Sequence, residues 1–202
     1  MPELLIATKN SGKIKELEKI LRDFPFRLHS LNAFPDVIEP EETGATFAEN
    51  AILKARYYAL QTKLPALADD SGLEVEALNN APSVFSARYA GANATDAERI
   101  DKLLNRLDKT PDEKRCARFV CAMAIADETG AIKFVAEGVC SGKIAFAARG
   151  TNGFGYDPIF IPDGFSATFG ELASDIKQQI SHRARSMEKI IQYLQGFYAS
   201  LG

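Results

Sequence analysis

The sequence predicts an α/β fold with a mixed β-sheet. Residues 4–70 alternate strand and helix patterns in the order β-α-β-α-β, which is typical of parallel strands covered by helices. Two long apolar runs, 117–126 and 132–140, follow each other across a short turn and predict an antiparallel insertion in the middle of the chain. A helical pattern closes the chain, so helices are expected to flank a central sheet.

The first elements have clear boundaries. The apolar run 4–7 is short enough for a buried strand, and apolar residues then recur at helical spacing up to Leu21. Residues 26–31 predict a second strand. Thr46 and Glu49 form a capping box, which predicts a helix that ends near residue 62. Its apolar stripe is predicted to consist of Ala48, Ile52, Ala55 and Ala59, with Asn50, Lys54 and Tyr57 on a different face.

The second half predicts one more capped helix and a glycine-rich loop. Thr95 caps a helix that is predicted to end at Leu107. A loop at 150–158 contains three glycines and precedes a short strand at 159–161. The last helix is predicted from about residue 181 to residue 195, with Gly196 as its C-terminal stop.

Length and composition are those of a soluble globular protein. The chain has 202 residues, of which 46% are hydrophobic and 25% charged, and its formal net charge is −3. This balance gives no basic surface for nucleic acid, and no apolar run is long enough to span a membrane. The start of the chain lacks the pattern of a signal peptide, and three cysteines without zinc spacing are expected to be buried, reduced thiols. We therefore expect a cytoplasmic protein that contacts neither nucleic acid nor membrane, with residues 1–202 as a single domain.

The loop after the first strand has the composition of a phosphate-binding loop. It contains Thr8, Lys9, Asn10, Ser11, Gly12 and Lys13. Backbone amides at a helix N-terminus and two lysines favour an anion. Gly12-Lys13 is only part of a Walker A motif, because Ala7 stands at its first glycine and Ile14 at its hydroxyl position. The alternative is an ordinary strand-to-helix connection that Asn10 or Ser11 caps.

Two pairs of carboxylates are candidates for chemistry. A short strand at 66–68 is predicted to end at Asp69-Asp70-Ser71-Gly72, before an edge strand at 73–78, and ligands bind at such strand ends in α/β sheets. Neighbouring residues of an extended chain face opposite sides, so one aspartate can face a ligand. An Asx-turn or a Walker B strand are the alternatives. Glu41-Glu42 lies in an acidic loop and is either a solvated pair or part of a Mg²⁺ site.

Aromatic and cationic residues late in the chain suggest recognition of a base. Phe154 and Tyr156 lie in the glycine-rich loop, where they either present their rings to a ligand or pack into the core. Lys177 and the sequence Ser181-His182-Arg183 bring cations to the start of the last helix. A helix N-terminus disfavours arginine, so a ligand anion or base acceptor nearby would explain Arg183, with a solvent-exposed arginine as the alternative.

Six motifs in this order resemble the Ham1-like, or inosine triphosphate pyrophosphatase, family, in particular its bacterial dITP/XTP pyrophosphatase branch. They are residues 8–13, residues 41–55 with Asn50 and Lys54, residues 68–72, Ser86-Ala87-Arg88-Tyr89, residues 153–158 and residues 181–183. Lys9 departs from the family, which often has glycine there. The resemblance covers essentially the whole chain.

The resemblance implies a homodimeric enzyme that uses Mg²⁺ to hydrolyse dITP, ITP and XTP to the monophosphate and pyrophosphate. It implies an elongated fold with two lobes, the second formed mainly by the middle β insertion, and an active-site cleft between them. It further implies that Asp70 is the catalytic residue and a metal ligand, together with a glutamate at Glu41 or Glu42, of which we favour Glu42. The implied substrate-binding residues are Thr8, Lys9, Asn10, Ser11, Gly12, Lys13, Lys54, Ser71, Phe154, Gly155, Tyr156, Asp157, Lys177, His182 and Arg183.

Two other functions remain as alternatives. A P-loop NTPase or kinase would cleave between the β- and γ-phosphates, but Ala7 and Ile14 do not fit its motif. A nucleotide sensor without catalysis would gain little from the carboxylate pairs, because acidic groups repel a polyphosphate. The phosphorus products formed from ITP distinguish the three functions.

Overall fold

A computed structural model describes residues 2–21, 24 and 26–199. In this part of the chain, six strands form one sheet in the order β2-β1-β3-β4-β5-β6. The strands are β1 (Glu3–Ile6), β2 (Arg27–Ser30), β3 (Ala66–Val75), β4 (Cys116–Ala126), β5 (Ile132–Ile144) and β6 (Phe160–Pro162). The α-helices are α1 (Ser11–Leu21), α2 (Phe47–Thr62), α3 (Asp96–Arg106), α4 (Ser174–Ile180) and α5 (His182–Ala199).

The sheet is mixed, as predicted. β1 pairs in parallel with both β2 and β3. β5 and β6 pair antiparallel, with Lys143 opposite Ile161. The predicted α/β class is therefore confirmed, with the parallel strands coming from the start of the chain and the antiparallel pair from its second half.

β3 differs from the prediction in length and position. It runs without interruption through Asp69-Asp70-Ser71-Gly72, where the sequence analysis expected a strand to end. It is also not an edge strand, because β1 and β4 lie on its two sides. The polar residues remain in the strand because they have side-chain partners, which are described below. Asp69 and Asp70 therefore lie in the middle of a strand and not in an Asx-turn.

α2 buries Ala55 and Ala59 as predicted, but the rest of its buried face differs from the predicted stripe. The capping box is present, since Thr46 Oγ1 accepts a hydrogen bond from the amide of Glu49. The buried side chains of the helix are Phe47, Asn50, Ala51, Lys54, Ala55, Tyr58 and Ala59. Ala48 and Ile52 are only half-buried. Hydropathy alone misplaces the face because it cannot register that Asn50 and Lys54 bond a buried carboxylate.

The C-terminal helices also differ from the prediction. No sequence pattern predicted α4, which ends immediately before the turn at Ser181. α5 passes through Gly196 to Ala199, so Gly196 is not its stop. The helical spacing predicts that Met187, Ile190, Ile191 and Leu194 face inward; Met187, Ile190 and Leu194 are buried, whereas Ile191 is half-buried.

The chain divides into two compact units. The first unit takes in Met1–Asp70, Ala122–Glu137 and Ser186–Gly202, as far as these are described, and the second takes in Ser71–Cys121 and Gly138–Arg185. The first unit buries Leu5, Ile6, Ala51, Leu67 and Ile190 among others. The second has an aromatic core, in which the ring centroid of Phe119 lies 4.6 Å from that of Phe160. The assignment of residues 1–202 to a single domain stays a prediction.

None of the three cysteines forms a disulfide. Cys121 and Cys140 are buried as expected, whereas Cys116 is exposed. Burial raises the pKa of the Cys140 thiol to about 11, so this thiol remains protonated at neutral pH. None of the helices in the described part of the chain has the length and apolar content that a membrane span requires.

Candidate active site

The loop between β1 and α1 is organised by its own side chains. Asn10 Oδ1 accepts a hydrogen bond from the amide of Lys13 at 3.0 Å, so Asn10 caps α1 and Ser11 is its first helical residue. Thr8 Oγ1 accepts the amide of Asn10 at 3.2 Å. Lys9 and Ser11 are exposed. Amides of a first helical turn have no partners within the helix, and the helix dipole favours an anion beside them.

Lys13 connects this loop to β3. Its Nζ lies 2.8 Å from Asp69 Oδ2, and the side chains of Lys13 and Asp69 are 14% and 1% exposed. Asp69 is therefore the carboxylate that faces α1.

Asp70, the next residue of β3, faces α2. Its Oδ2 accepts a hydrogen bond from Asn50 Nδ2 at 3.0 Å, and its Oδ1 lies 3.3 Å from Lys54 Nζ. The two aspartates thus bond different helices, as alternation along a strand requires. Burial raises the pKa of Asp70, although the ammonium of Lys54 opposes that shift.

Lys54 lies between two carboxylates. Besides its contact with Asp70, its Nζ donates to Glu42 Oε1 at 2.7 Å. Burial alone would lower the pKa of Lys54, but the charges of Asp70, Asp69 and Glu42 outweigh burial and raise the pKa above its usual value. Lys54 is therefore an ammonium ion. Glu41, by contrast, is exposed.

We call Lys13, Glu42, Asn50, Lys54, Asp69 and Asp70 the carboxylate–lysine cluster. All six residues belong to the first unit. Three carboxylates and two ammonium groups leave the cluster with one negative charge when all are ionised. Among the described residues, no group of three or more acidic, histidine or cysteine side chains is arranged to hold a metal. The carboxylates of Glu42 and Asp70 both contact the ammonium of Lys54. Two carboxylates at one position fit Mg²⁺, which commonly takes one or two carboxylates and completes its shell with water and substrate phosphates.

Asn50 is a member of this cluster that the site prediction did not include. Its Oδ1 accepts the amide of Gly44 at 2.7 Å while its amide group donates to Asp70. One side chain thus joins the acidic loop, α2 and β3. The available signal was the spacing of Asn50 and Lys54, which places two polar side chains on one helix face.

The second unit holds a set of candidates around Phe154. The buried carboxylate of Asp157 accepts the amide of Phe154 at 2.8 Å and bonds Lys177 Nζ at 2.7 Å, both through Oδ2. A Cβ atom on Gly153 would come within 2.0 Å of the same oxygen, and the φ of Gly153 is +76°. Glycine is therefore required at Gly153. Asp157 fixes both the loop and the lysine.

Two cations lie near the ring of Phe154. Lys177 Nζ is 4.7 Å from the ring centroid, and the guanidinium carbon of Arg183 is 5.7 Å from it. Arg183 also donates through Nη2 to Ser71 Oγ at 3.0 Å. Arg183 is buried, so it is not the solvent-exposed arginine that the sequence left as an alternative. We call Ser71, Phe154, Asp157, Lys177 and Arg183 the aromatic–cation cluster.

Two other predicted binding residues are built into the core of the second unit. Tyr156 is 4% exposed, and its hydroxyl donates to the carbonyl of Ser86 at 3.0 Å. The ring of Tyr156 is therefore packed in the core and is not open to a ligand as the ring of Phe154 is. Burial raises the pKa of the Tyr156 phenol. His182 stacks on Phe119, with centroids 4.7 Å apart and an interplanar angle of 13°.

Comparison with known proteins gives concordant matches over nearly the whole chain. The sequence model of the Ham1 family matches residues 4–193. A dITP/XTP pyrophosphatase of Coxiella burnetii is 49% identical over 193 residues, which cover 94% of this chain and 95% of that protein. The solved structure of a HAM1 protein from Coxiella burnetii has a TM-score of 0.89 at 47% identity, covering 97% of this chain and 100% of that one. The Staphylococcus aureus Ham1 protein has a TM-score of 0.85 at 42% identity, covering 96% and 98%.

Proposed function

Because this chain belongs to the Ham1 family, we propose that it is a pyrophosphohydrolase of non-canonical purine nucleoside triphosphates. Its substrates are dITP, ITP and XTP, and its products are the nucleoside monophosphate and pyrophosphate. The observation that carries this proposal is the buried Asp70, which Asn50 and Lys54 hold beside the loop lysine, Lys13, and its partner Asp69. Relatives named dITP/XTP pyrophosphatase support the substrate class.

The proposed reaction is attack of water on the α-phosphorus. The water oxygen forms a bond to that phosphorus, and the bond from phosphorus to the α–β bridging oxygen breaks. The electron pair leaves with pyrophosphate, and the proton of the water passes to a carboxylate, for which we propose Asp70. Its raised pKa suits a base near neutral pH better than that of an ordinary aspartate.

Mg²⁺ is proposed as the cofactor, held by Glu42 and Asp70. Bound there, it would neutralise charge on the leaving pyrophosphate. The charge of the carboxylate–lysine cluster supports this proposal, because one net negative charge repels a triphosphate and a divalent cation reverses its sign. The amides of the first turn of α1 and the ammonium of Lys13 are proposed to bind phosphate oxygens.

The aromatic–cation cluster is proposed to select the base. Phe154 would stack on any purine. Arg183 has donors only and can pair with the O6 and N7 acceptors of hypoxanthine or xanthine, whereas the 6-amino group of adenine would face it with another donor. Guanine shares O6, so its rejection requires that its 2-amino group remain unpaired in the bound state.

The cellular role follows from the chemistry. We propose that the protein removes non-canonical purine nucleotides from the cytoplasmic pool before they enter DNA or RNA. We further propose that it acts as a homodimer and binds neither nucleic acid nor a membrane. Light scattering during size-exclusion chromatography tests the homodimer directly.

Hydrolysis of ITP in H₂¹⁸O tests the reaction. The expected products by phosphorus NMR are IMP and pyrophosphate, with ¹⁸O in IMP, because the attacked atom is the α-phosphorus. Orthophosphate as the primary product would contradict the proposal and favour a P-loop enzyme. Binding of ITP without turnover would favour a sensor. Chelation of Mg²⁺ is expected to stop the reaction, and addition of Mg²⁺ to restore it.

A further inference from the structure

The loop that carries Phe154 is held at three successive residues. The amide of Phe154 donates to Asp157 Oδ2 at 2.8 Å, and the hydroxyl of Tyr156 donates to the carbonyl of Ser86 at 3.0 Å. Between them, the amide of Gly155 donates to Asp96 Oδ2 at 2.7 Å. Asp96 is the first residue of α3 and is 59 residues away along the chain.

The carboxylate of Asp96 is itself fixed. Its other oxygen, Oδ1, lies 2.8 Å from Arg99 Nη2. Arg99 also donates through Nη1 to the carbonyl of Ala87 at 2.7 Å. Ala87 follows Ser86, whose carbonyl holds Tyr156. Asp96 and Tyr156 therefore tie the loop to neighbouring points of the second unit.

The start of α3 is a firm anchor for this contact. Thr95 and Glu98 form a capping box, with the amide of Glu98 3.2 Å from Thr95 Oγ1 and the amide of Thr95 2.7 Å from Glu98 Oε2. A capped first turn fixes the position of the residue that follows the cap. The acceptor that Asp96 presents to Gly155 is thus fixed from two sides, by the helix cap and by Arg99.

The loop depends on such an anchor because its backbone is unusual. Gly153 and Gly155 have φ values of +76° and +61°, in the left-handed region, on either side of Phe154. Glycine is the most flexible residue, so two flanking glycines leave the orientation of the Phe154 ring weakly determined by the chain itself. The hydrogen bond from the amide of Gly155 to the Asp96 carboxylate fixes the peptide plane directly after Phe154, and hydrogen bonds to a carboxylate are stronger than those between neutral groups.

We infer that Asp96 is a positioning residue for base recognition, which acts through the amide of Gly155 to set the stacking face of Phe154. This inference rests on the proposed function. Because Asp96 acts through the loop, its loss is expected to weaken binding of the base and to leave the phosphate chemistry intact.

The test compares Asp96→Ala with Asp96→Asn and with Asp101→Ala. Asp101 is an exposed aspartate of the same helix, so its removal changes the net charge equally. Asp96→Ala is expected to raise KM for ITP about tenfold, the size expected for loss of a hydrogen bond to a charged group, with kcat within about twofold. Asp96→Asn keeps an acceptor for the amide of Gly155 and is expected to recover most of the loss. Asp101→Ala is expected to match the unaltered protein.

Tripolyphosphate serves as a probe without a base. Its inhibition constant against ITP hydrolysis is expected to be the same in Asp96→Ala and the unaltered protein, because Asp96 acts only on the base. A purely structural role would lower kcat, or the folded fraction, with KM unchanged, and that result would overturn the inference. An equal weakening of ITP and tripolyphosphate would also overturn it. Failure of the unaltered protein to hydrolyse ITP would overturn the proposed function, and the inference with it.

Discussion

Two buried lysines, Lys54 and Lys177, have different surroundings. In the first unit, Lys54 Nζ lies 2.7 Å from Glu42 and 3.3 Å from Asp70, so one ammonium serves two carboxylates. In the second unit, Lys177 Nζ bonds the single carboxylate of Asp157 at 2.7 Å and lies over the ring of Phe154. The first cluster has an excess of negative charge. The second has two cations for one carboxylate, beside an aromatic face.

This difference indicates that the two clusters are suited to different tasks, phosphoryl chemistry and recognition of the base. A cluster with excess carboxylate can hold a cation and accept a proton, which are the needs of phosphoryl chemistry. An aromatic face with donors beside it can stack on a base and pair with its acceptors. We therefore expect substitutions in the carboxylate–lysine cluster to change turnover and metal dependence, and substitutions in the aromatic–cation cluster to change the choice of base.

The largest effect is expected from Asp70→Asn. Loss of the proposed proton acceptor and metal ligand should lower kcat on the order of 10²–10⁴-fold. Because burial raises the pKa of Asp70, folding disfavours its ionised form, and this cost to stability grows as the pH rises and the carboxyl ionises. A neutral asparagine should therefore leave the thermal unfolding midpoint at least as high as before.

Asp69→Asn is the matched control. Its carboxylate bonds Lys13 and not Lys54, so its effect on kcat and on stability should differ from that of Asp70→Asn. Steady-state kinetics and calorimetry of the two variants check the assignment. Equal loss in both would show that the strand as a whole, and not Asp70, carries the function.

The next largest effect is expected from Arg183→Ala, which should change the selectivity among purine bases. It removes the donors for O6 and N7, so kcat/KM for ITP and XTP should fall about 100-fold, the size expected when hydrogen bonds to a charged group are lost. The low activity on ATP should change much less. Measuring kcat/KM for ITP, XTP, GTP and ATP decides this, and an equal proportional loss on all four would assign Arg183 to phosphate binding or to structure.

Lys54→Met should mainly change the pH dependence of kcat. The ammonium of Lys54 lowers the pKa of Asp70, so its removal lets burial raise that pKa further. Asp70 then becomes protonated at a higher pH, so the acid limb of the kcat profile should move to higher pH. A pH–rate profile measures the shift, with Lys177→Met as the control whose limb stays in place. A downward shift, or none, would contradict the role assigned to Lys54.

The smallest effect is expected when the two neighbouring glutamates are compared. Glu42→Gln should raise the Mg²⁺ concentration needed for half-maximal activity several-fold, whereas Glu41→Gln should leave it unchanged. Glu42 contacts Lys54, while Glu41 is exposed. A Mg²⁺ titration of both variants resolves the one-residue ambiguity left by the sequence, and the reverse order would assign the metal to Glu41.

The sequence predicted elements whose determinants are local. The predicted caps, Thr46 and Thr95, begin their helices where expected, because a cap is made within one turn. Apart from α4 and the division of β3 into two strands, the order of strands and helices and the α/β class were also predictable from periodicity. Candidate residues such as Asp70 and Arg183 could be named from motifs, although their partners could not.

The features that were missed depend on long-range contacts. Asp69 and Asp70 looked like a strand end because their partners, Lys13 and Lys54, are distant in sequence. Gly196 looked like a stop because glycine is common there, but α5 passes through it. No sequence pattern pointed to Asp96, because its contact with the amide of Gly155 exists only once the loop has folded.

Binding of ITP and ATP to Asp70→Asn tests most directly whether selection of the base is separate from the phosphoryl chemistry. Calorimetric titration of this variant with each nucleotide separates selection of the base from chemistry, because its turnover is expected to be at least about 100-fold slower than that of the unaltered protein. If the aromatic–cation cluster selects the base, the ratio of the two dissociation constants should still favour ITP strongly, and adding Arg183→Ala should abolish that preference. Equal affinity of Asp70→Asn for ITP and ATP would contradict the account.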